Sequence, residues 1–198
     1  MNLQKEYNQR KEIIINRLDE FKRIKQEELF YELCFCLLTP QCPAKKADAI
    51  VGELKKADFK NKNIDPHKFL KTTRFHNNRA KYFLEMKSEY NFIEQQLKNI
   101  KSAEEKRDFL VENIRGIGLK EAGHFLRNIG YENLAILDRH ILKNLVEVKA
   151  IEELPKTLTK KKYFEIEKNF LEFSKKVSIP MDHLDLLFWS METGEVFK

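Results

Sequence analysis

Two glycines, a lysine and an aspartate are the residues of this chain whose types and spacing could do chemistry. They lie in Ile114-Arg115-Gly116-Ile117-Gly118-Leu119-Lys120-Glu121-Ala122 and in Leu137-Asp138-Arg139-His140. The first segment reads as two helices joined by a Gly-Ile-Gly turn, with Lys120 in the first turn of the second helix. Backbone N–H groups in such a turn hold a phosphate. A lysine amine is a nucleophile toward a sugar carbon once it is neutral. Burial and the positive end of a helix both favour the neutral form. Asp138, eighteen positions after Lys120, reads as the N-cap of the next helix. A capping carboxylate facing the reaction also stabilises positive charge that develops there.

The elements that must position these residues are helices. Almost every segment carries a helical period, and none alternates as a strand does. Tyr7, Ile14, Leu18 and Phe21 form one apolar stripe, and Leu29 to Leu38 is a more apolar helix ended by Thr39-Pro40. Further helices are expected from Pro43 to Lys56 and from Asn78 to Leu97. Asp65-Pro66 reads as an N-cap followed by proline, and Ser102-Ala103-Glu104-Glu105 as a capping box. Gly130 fits a helix C-terminus. Helices then run from Arg139 to Val148, Lys160 to Val177 and Met181 to Glu192. The expectation is an all-α fold of about ten helices.

Composition excludes several classes. The net charge of +6 (37 Lys and Arg against 31 Asp and Glu) permits a nucleic-acid partner without requiring one. No apolar run approaches the ~20 residues that span a bilayer, so no membrane partner is expected. The polar N-terminus lacks a signal-peptide core, and a cytoplasmic location is expected. Cys34, Cys36 and Cys42 have neither a disulfide framework nor a four-thiolate cluster spacing. They read as free thiols, and no catalytic metal or organic cofactor is expected. His67, His76, His124 and His183 form no metal-ligand spacing.

The hairpin, Lys120 and Asp138 together resemble the helix-hairpin-helix DNA glycosylases that remove damaged bases through a lysine nucleophile. The resemblance implies that the Gly116 and Gly118 amides hold a DNA phosphate. It implies Lys120 as nucleophile, Asp138 as its catalytic partner and His140 as a contact to the DNA backbone near the lesion. It also implies two helical subdomains flanking a cleft, with the hairpin at their border: residues 28–130, and residues 1–27 with 131–198.

The segment from Asp185 to Lys198 is similar to one class of that superfamily, the compact 8-oxoguanine DNA glycosylase/lyases found largely in archaea and some thermophiles. Asp185 and Trp189 share a helix face, and Trp189 is either a core anchor or one face of a base stack. In that class the chain end helps recognise the oxidised base, a role the resemblance gives to Lys198. The apolar Val196-Phe197 before it argues for a docked tail rather than a frayed one. Thr73-Arg74-Phe75-His76-Asn77-Asn78-Arg79-Ala80-Lys81 resembles a cleft-lining segment, with Phe75 either core or the opposite face of the stack. Leu37-Leu38-Thr39-Pro40-Gln41 resembles the segment that fills the gap left by a flipped nucleotide, with Gln41 as the filling side chain. The implied function is excision of 8-oxoguanine from double-stranded DNA and β-elimination 3′ to the site, by a monomer. Two alternatives stay open: the same lysine chemistry on oxidised pyrimidines, as in endonuclease III-like enzymes, and a non-catalytic helix-hairpin-helix DNA-binding module.

Overall fold

A computed structural model describes residues 2–198. Among them are ten α-helices: α1 Leu3–Lys22, α2 Leu29–Leu38, α3 Ala44–Lys56, α4 His67–Leu70, α5 His76–Asn99, α6 Ala103–Asn113, α7 Leu119–Asn128, α8 Arg139–Glu147, α9 Lys160–Val177 and α10 Met181–Thr193. The fold is all-α. No described helix is long and apolar enough to cross a membrane.

The chain divides into two compact units. One is Ile24–Phe125; the other joins the N-terminal segment through Arg23 to Leu126–Lys198. The divisions fall at 23/24 and 125/126. The second lies inside α7, so neither a loop nor a change in composition marks it.

The unit 24–125 is built on α2, which is buried from Phe30 to Leu38 and packs against α3 and α5. The Phe30 ring lies edge-on to Tyr90 at 5.0 Å and tilted against Phe59 at 5.9 Å. Each such ring, fully buried, contributes roughly 1.5–3 kcal/mol. The capping box forms at α6: Ser102 Oγ accepts from Glu105 N–H at 3.1 Å, and the Glu105 carboxylate accepts from Ser102 N–H at 3.4 Å. The buried Lys106 ammonium donates to the carbonyls of Leu97 and Ile100, closing the C-terminus of α5.

In the other unit, α10 packs against α1, α8 and α9, with Phe170 of α9 stacked on Phe188 of α10. α7 ends in a Schellman turn, Tyr131 N–H donating to Leu126 O and Gly130 N–H to Arg127 O, both at 3.0 Å. Gly130 has φ +92°, and a Cβ there would sit 2.9 Å from Lys22 Cα, so both the turn and the approach of α1 require glycine.

Candidate active site

The hairpin lies wholly in the unit 24–125. Ile114 closes α6 by donating to Leu110 O, and Ile117 N–H returns to Ile114 O at 3.1 Å. Gly116 turns the chain at φ +93°; a Cβ there would meet the Tyr82 ring at 2.7 Å. The hairpin is thus seated on the side chains of Tyr82 and Leu37. Gly118 opens α7, its carbonyl accepting from Ala122 N–H at 2.9 Å.

Lys120 is half-buried in the first turn of α7, as its sequence position predicts. Its Nζ lies 3.0 Å from Glu121 Oε1. The other oxygen of Glu121 accepts from Gly118 N–H at 3.2 Å. One carboxylate thus ties the amine to the helix cap. Glu121 was not among the expected site residues. Its signal was in the sequence: a glutamate three positions after a capping residue reaches back to that residue's amide.

Asp138 belongs to the other unit and caps α8. Its Oδ1 accepts from the N–H groups of His140 and Ile141, each at 2.8 Å. Both bonds fall on one oxygen, leaving Oδ2 outside the cap. His140 lies two positions after Asp138, with Nδ1 3.6 Å from Glu192 Oε2. Glu192 also accepts from Lys143 Nζ at 2.9 Å, and that bond is the main cause holding its carboxyl below the usual range.

On α10, Asp185 is buried and Trp189 half-buried. The tail folds back: Phe197 lies 6.4 Å from Trp189, with rings inclined at 31°. Val196, Phe197 and Lys198 are each partly covered. The structure therefore brings Asp138, His140, Asp185, Trp189 and Lys198 into one unit. Gly116, Gly118, Lys120, Gln41 and Phe75 belong to the other. Phe75 is not core: it is 57 % exposed at the start of α5, with the Arg74 guanidinium 5.4 Å from its ring. Gln41 is exposed in the loop after α2.

Residues 14–179 match the family model for 8-oxoguanine DNA glycosylase. The chain belongs to that family. It is 43% identical to an 8-oxoguanine DNA glycosylase/AP lyase of Fusobacterium nucleatum, over 99% of this chain and 96% of that one. It is 40% identical to one of Methanocaldococcus jannaschii, over 95% and 93%. The structure matches that of the M. jannaschii 8-oxoguanine glycosylase/lyase in complex with 15mer DNA containing 8-oxoguanine. That match has a TM-score of 0.89 at 38% identity, over 100% of both chains. The 8-oxoguanine DNA glycosylase of Thermotoga maritima matches with a TM-score of 0.87 at 31% identity, over 99% and 96%.

Within the enzyme, Asp185 has a partner that the sequence did not announce. Arg127 of α7 is 3% exposed, and its Nη1 lies 3.3 Å from Asp185 Oδ2. The alignment is poor: Arg127 Nε and Nη1 and Asp185 Oδ1 are buried without hydrogen bonds. Burial therefore outweighs the arginine and pushes the Asp185 carboxyl from 3.8 up to about 7, with Asp138 and Asp182 adding to the rise. Between those two values the folded enzyme holds a proton that the unfolded chain has lost. Its stability contribution is thus full below the unfolded value and is lost as pH rises toward the folded one. Asp185→Asn should flatten this fall, which amounts to a few kcal/mol on the order of one proton's linkage. The offset from the unpaired Arg127 is independent of pH and does not hide the slope. Denaturant midpoints measured from pH 4 to pH 8 check it, and an unchanged slope in the variant would refute the assignment.

Proposed function

We propose that the enzyme excises 8-oxoguanine from duplex DNA through Lys120 and then nicks the strand 3′ to the resulting site. Neutral Nζ attacks C1′ of the flipped nucleotide, and the glycosidic bond breaks, its electron pair leaving with the base. Opening of the sugar ring gives a protonated imine between Nζ and C1′. Loss of a C2′ proton then expels the 3′ phosphate by β-elimination, and water frees the lysine. Only an amine nucleophile forms this imine, which is why excision and strand cleavage come together. Asp138, through the oxygen its cap leaves over, stabilises the positive charge that develops on the sugar.

The observation that carries the mechanism is the position of Lys120, in the first turn of the helix that follows a two-glycine hairpin. The substrate assignment is supported by the relatives' activity and by the likeness, over both whole chains, to a relative holding 8-oxoguanine DNA. Trp189, backed by Phe197, offers a flat apolar face for the base, and the unpartnered Asp185 Oδ1 offers a polar edge. Phe75 and Lys198 serve the flipped base, Gln41 fills the gap that the flipped nucleotide leaves, and His140 contacts the DNA backbone near the lesion. The Gly116 and Gly118 amides take a phosphate, Glu121 giving way at Gly118. The enzyme acts as a monomer.

Borohydride trapping tests the reading, with 8-oxoguanine opposite cytosine beside undamaged and thymine-glycol duplexes. A covalent adduct with the 8-oxoguanine duplex alone is expected. Trapping chiefly on thymine glycol would keep the lysine chemistry and overturn the pocket.

A further inference from the structure

Two exposed residues with side chains occupy the left-handed backbone region in the unit 24–125: Gln41 at φ 55° and Phe75 at φ 57°. Neither is glycine or asparagine, the residues that adopt this region readily, and for a ring as bulky as phenylalanine it is an outlier. Such conformations persist where the surroundings over-determine them, and they cluster where a protein grips a ligand.

The surroundings here are two side-chain hydrogen bonds, each tying the loop that carries one of these residues to the helix that follows the other loop. Arg79 of α5 donates from Nη2 to the carbonyl of Pro40, the residue next to Gln41. Arg79 itself stands in the first turn of α5, its backbone N–H making the first helical bond to the N-cap Phe75 carbonyl at 3.0 Å. The Arg79 side chain therefore ties the Gln41 loop to the helix that Phe75 caps. Lys46, in the first turn of α3, donates from Nζ to the Thr72 carbonyl at 2.6 Å. Thr73 is buried and bonded through Oγ1 to Leu70 O at 2.8 Å, which fixes the loop behind Phe75. Arg79 is 5 % exposed, and its Nη1 is buried without a hydrogen bond. A buried guanidinium with an orphaned donor costs stability, and an apolar residue would pack there at less cost.

We propose that Arg79, assisted by Lys46, is a positioning residue that latches the loop 39–43 to the loop 71–75, so that Gln41 and Phe75 engage the duplex as one preset unit. The proposal rests on the reading that Gln41 and Phe75 act on the DNA around the flipped nucleotide. Its consequence is selective. Extruding a base from an intact pair costs unstacking and unpairing, so a loosened latch slows excision most where the lesion is well paired. Cleavage of a site that has already lost its base needs less of that work.

Single-turnover rates would be measured on three duplexes: 8-oxoguanine opposite cytosine, 8-oxoguanine opposite an abasic residue, and a preformed abasic site. The readout is the ratio of paired-lesion excision to abasic-site cleavage, which cancels any loss of folded enzyme. Arg79→Met should lower this ratio about tenfold, within the range that misplacement by a fraction of an ångström produces. The deficit should shrink on the unpaired lesion. Arg79→Lys should restore part of it, and the exposed Lys46→Met should shift the ratio the same way by less. Adding Gln41→Ala to Arg79→Met should cost little more than the worse single change. Equal losses on all three duplexes, with additive double variants, would reduce Arg79 to a packing residue and overturn the proposal. If Gln41→Ala and Phe75→Ala leave the ratio unchanged, the underlying reading of those two residues fails instead, and the latch falls with it. If they lower the ratio while Arg79→Met and Lys46→Met do not, the latch alone is wrong.

Discussion

Lys120→Gln should abolish the borohydride adduct and lower strand nicking by at least ~10³-fold, because an amide forms no imine and supplies no amine nucleophile. Binding to the 8-oxoguanine duplex should weaken only modestly, since the hairpin amides and the remaining basic residues are intact. The variant should also fold. Lys120 pairs with Glu121 at 3.0 Å on a partly exposed surface, and a pair of that kind contributes ~0–1 kcal/mol. Glu121 keeps its bond to Gly118 N–H, so the helix start survives the loss of the lysine. Trapping, nicking and binding are measured on one duplex, beside a thermal melt of the free protein. A variant that still traps would move the nucleophile to another amine. A variant that loses trapping and binding together would show a damaged hairpin rather than missing chemistry.

What the sequence made legible were the local devices. Ser102 with Glu105, Asp138 before α8 and Gly130 after α7 are signals in which one side chain or one missing Cβ satisfies neighbouring backbone groups. They placed the helices to within a few residues, and with them Lys120 and Asp138. Contacts between residues distant in sequence were not legible. Arg127 meets Asp185 across 58 positions, and nothing near either residue announces the other. Arg79 reaches Pro40 across 39 positions, and its target is a carbonyl that every residue has. Gln41 and Phe75 adopt left-handed backbone without the glycine or asparagine that would flag it. Gln41 lies inside the turn that Cys42 N–H closes onto Thr39 O, and Phe75 is the N-cap of α5. The unit boundary inside α7 is invisible for a related reason: a continuous helix carries one unbroken apolar period through it.

Asp138 combines a structural and a chemical task on different oxygens, and two substitutions should separate them. Oδ1 takes both cap bonds, so Asp138→Asn, whose amide oxygen accepts equally well, should leave the stability of α8 within about 0.5 kcal/mol. The charge is lost, however, and excision should fall by ~10²–10³-fold, the cost of removing one group that stabilises developing charge. Asp138→Ala should show the same catalytic loss plus ~0.5–2 kcal/mol of lost stability. Equal melting of the two variants would mean that the cap contributes nothing. Full activity in Asp138→Asn would mean that its charge takes no part in the reaction. A third readout is independent of catalysis. Asp138 is one of the charges that push the Asp185 carboxyl up to about 7. Neutralising it in Asp138→Asn should bring that carboxyl down, so the pH-dependent loss of stability should end at a lower pH than in the wild type. That shift would couple the two aspartates electrostatically in the free enzyme.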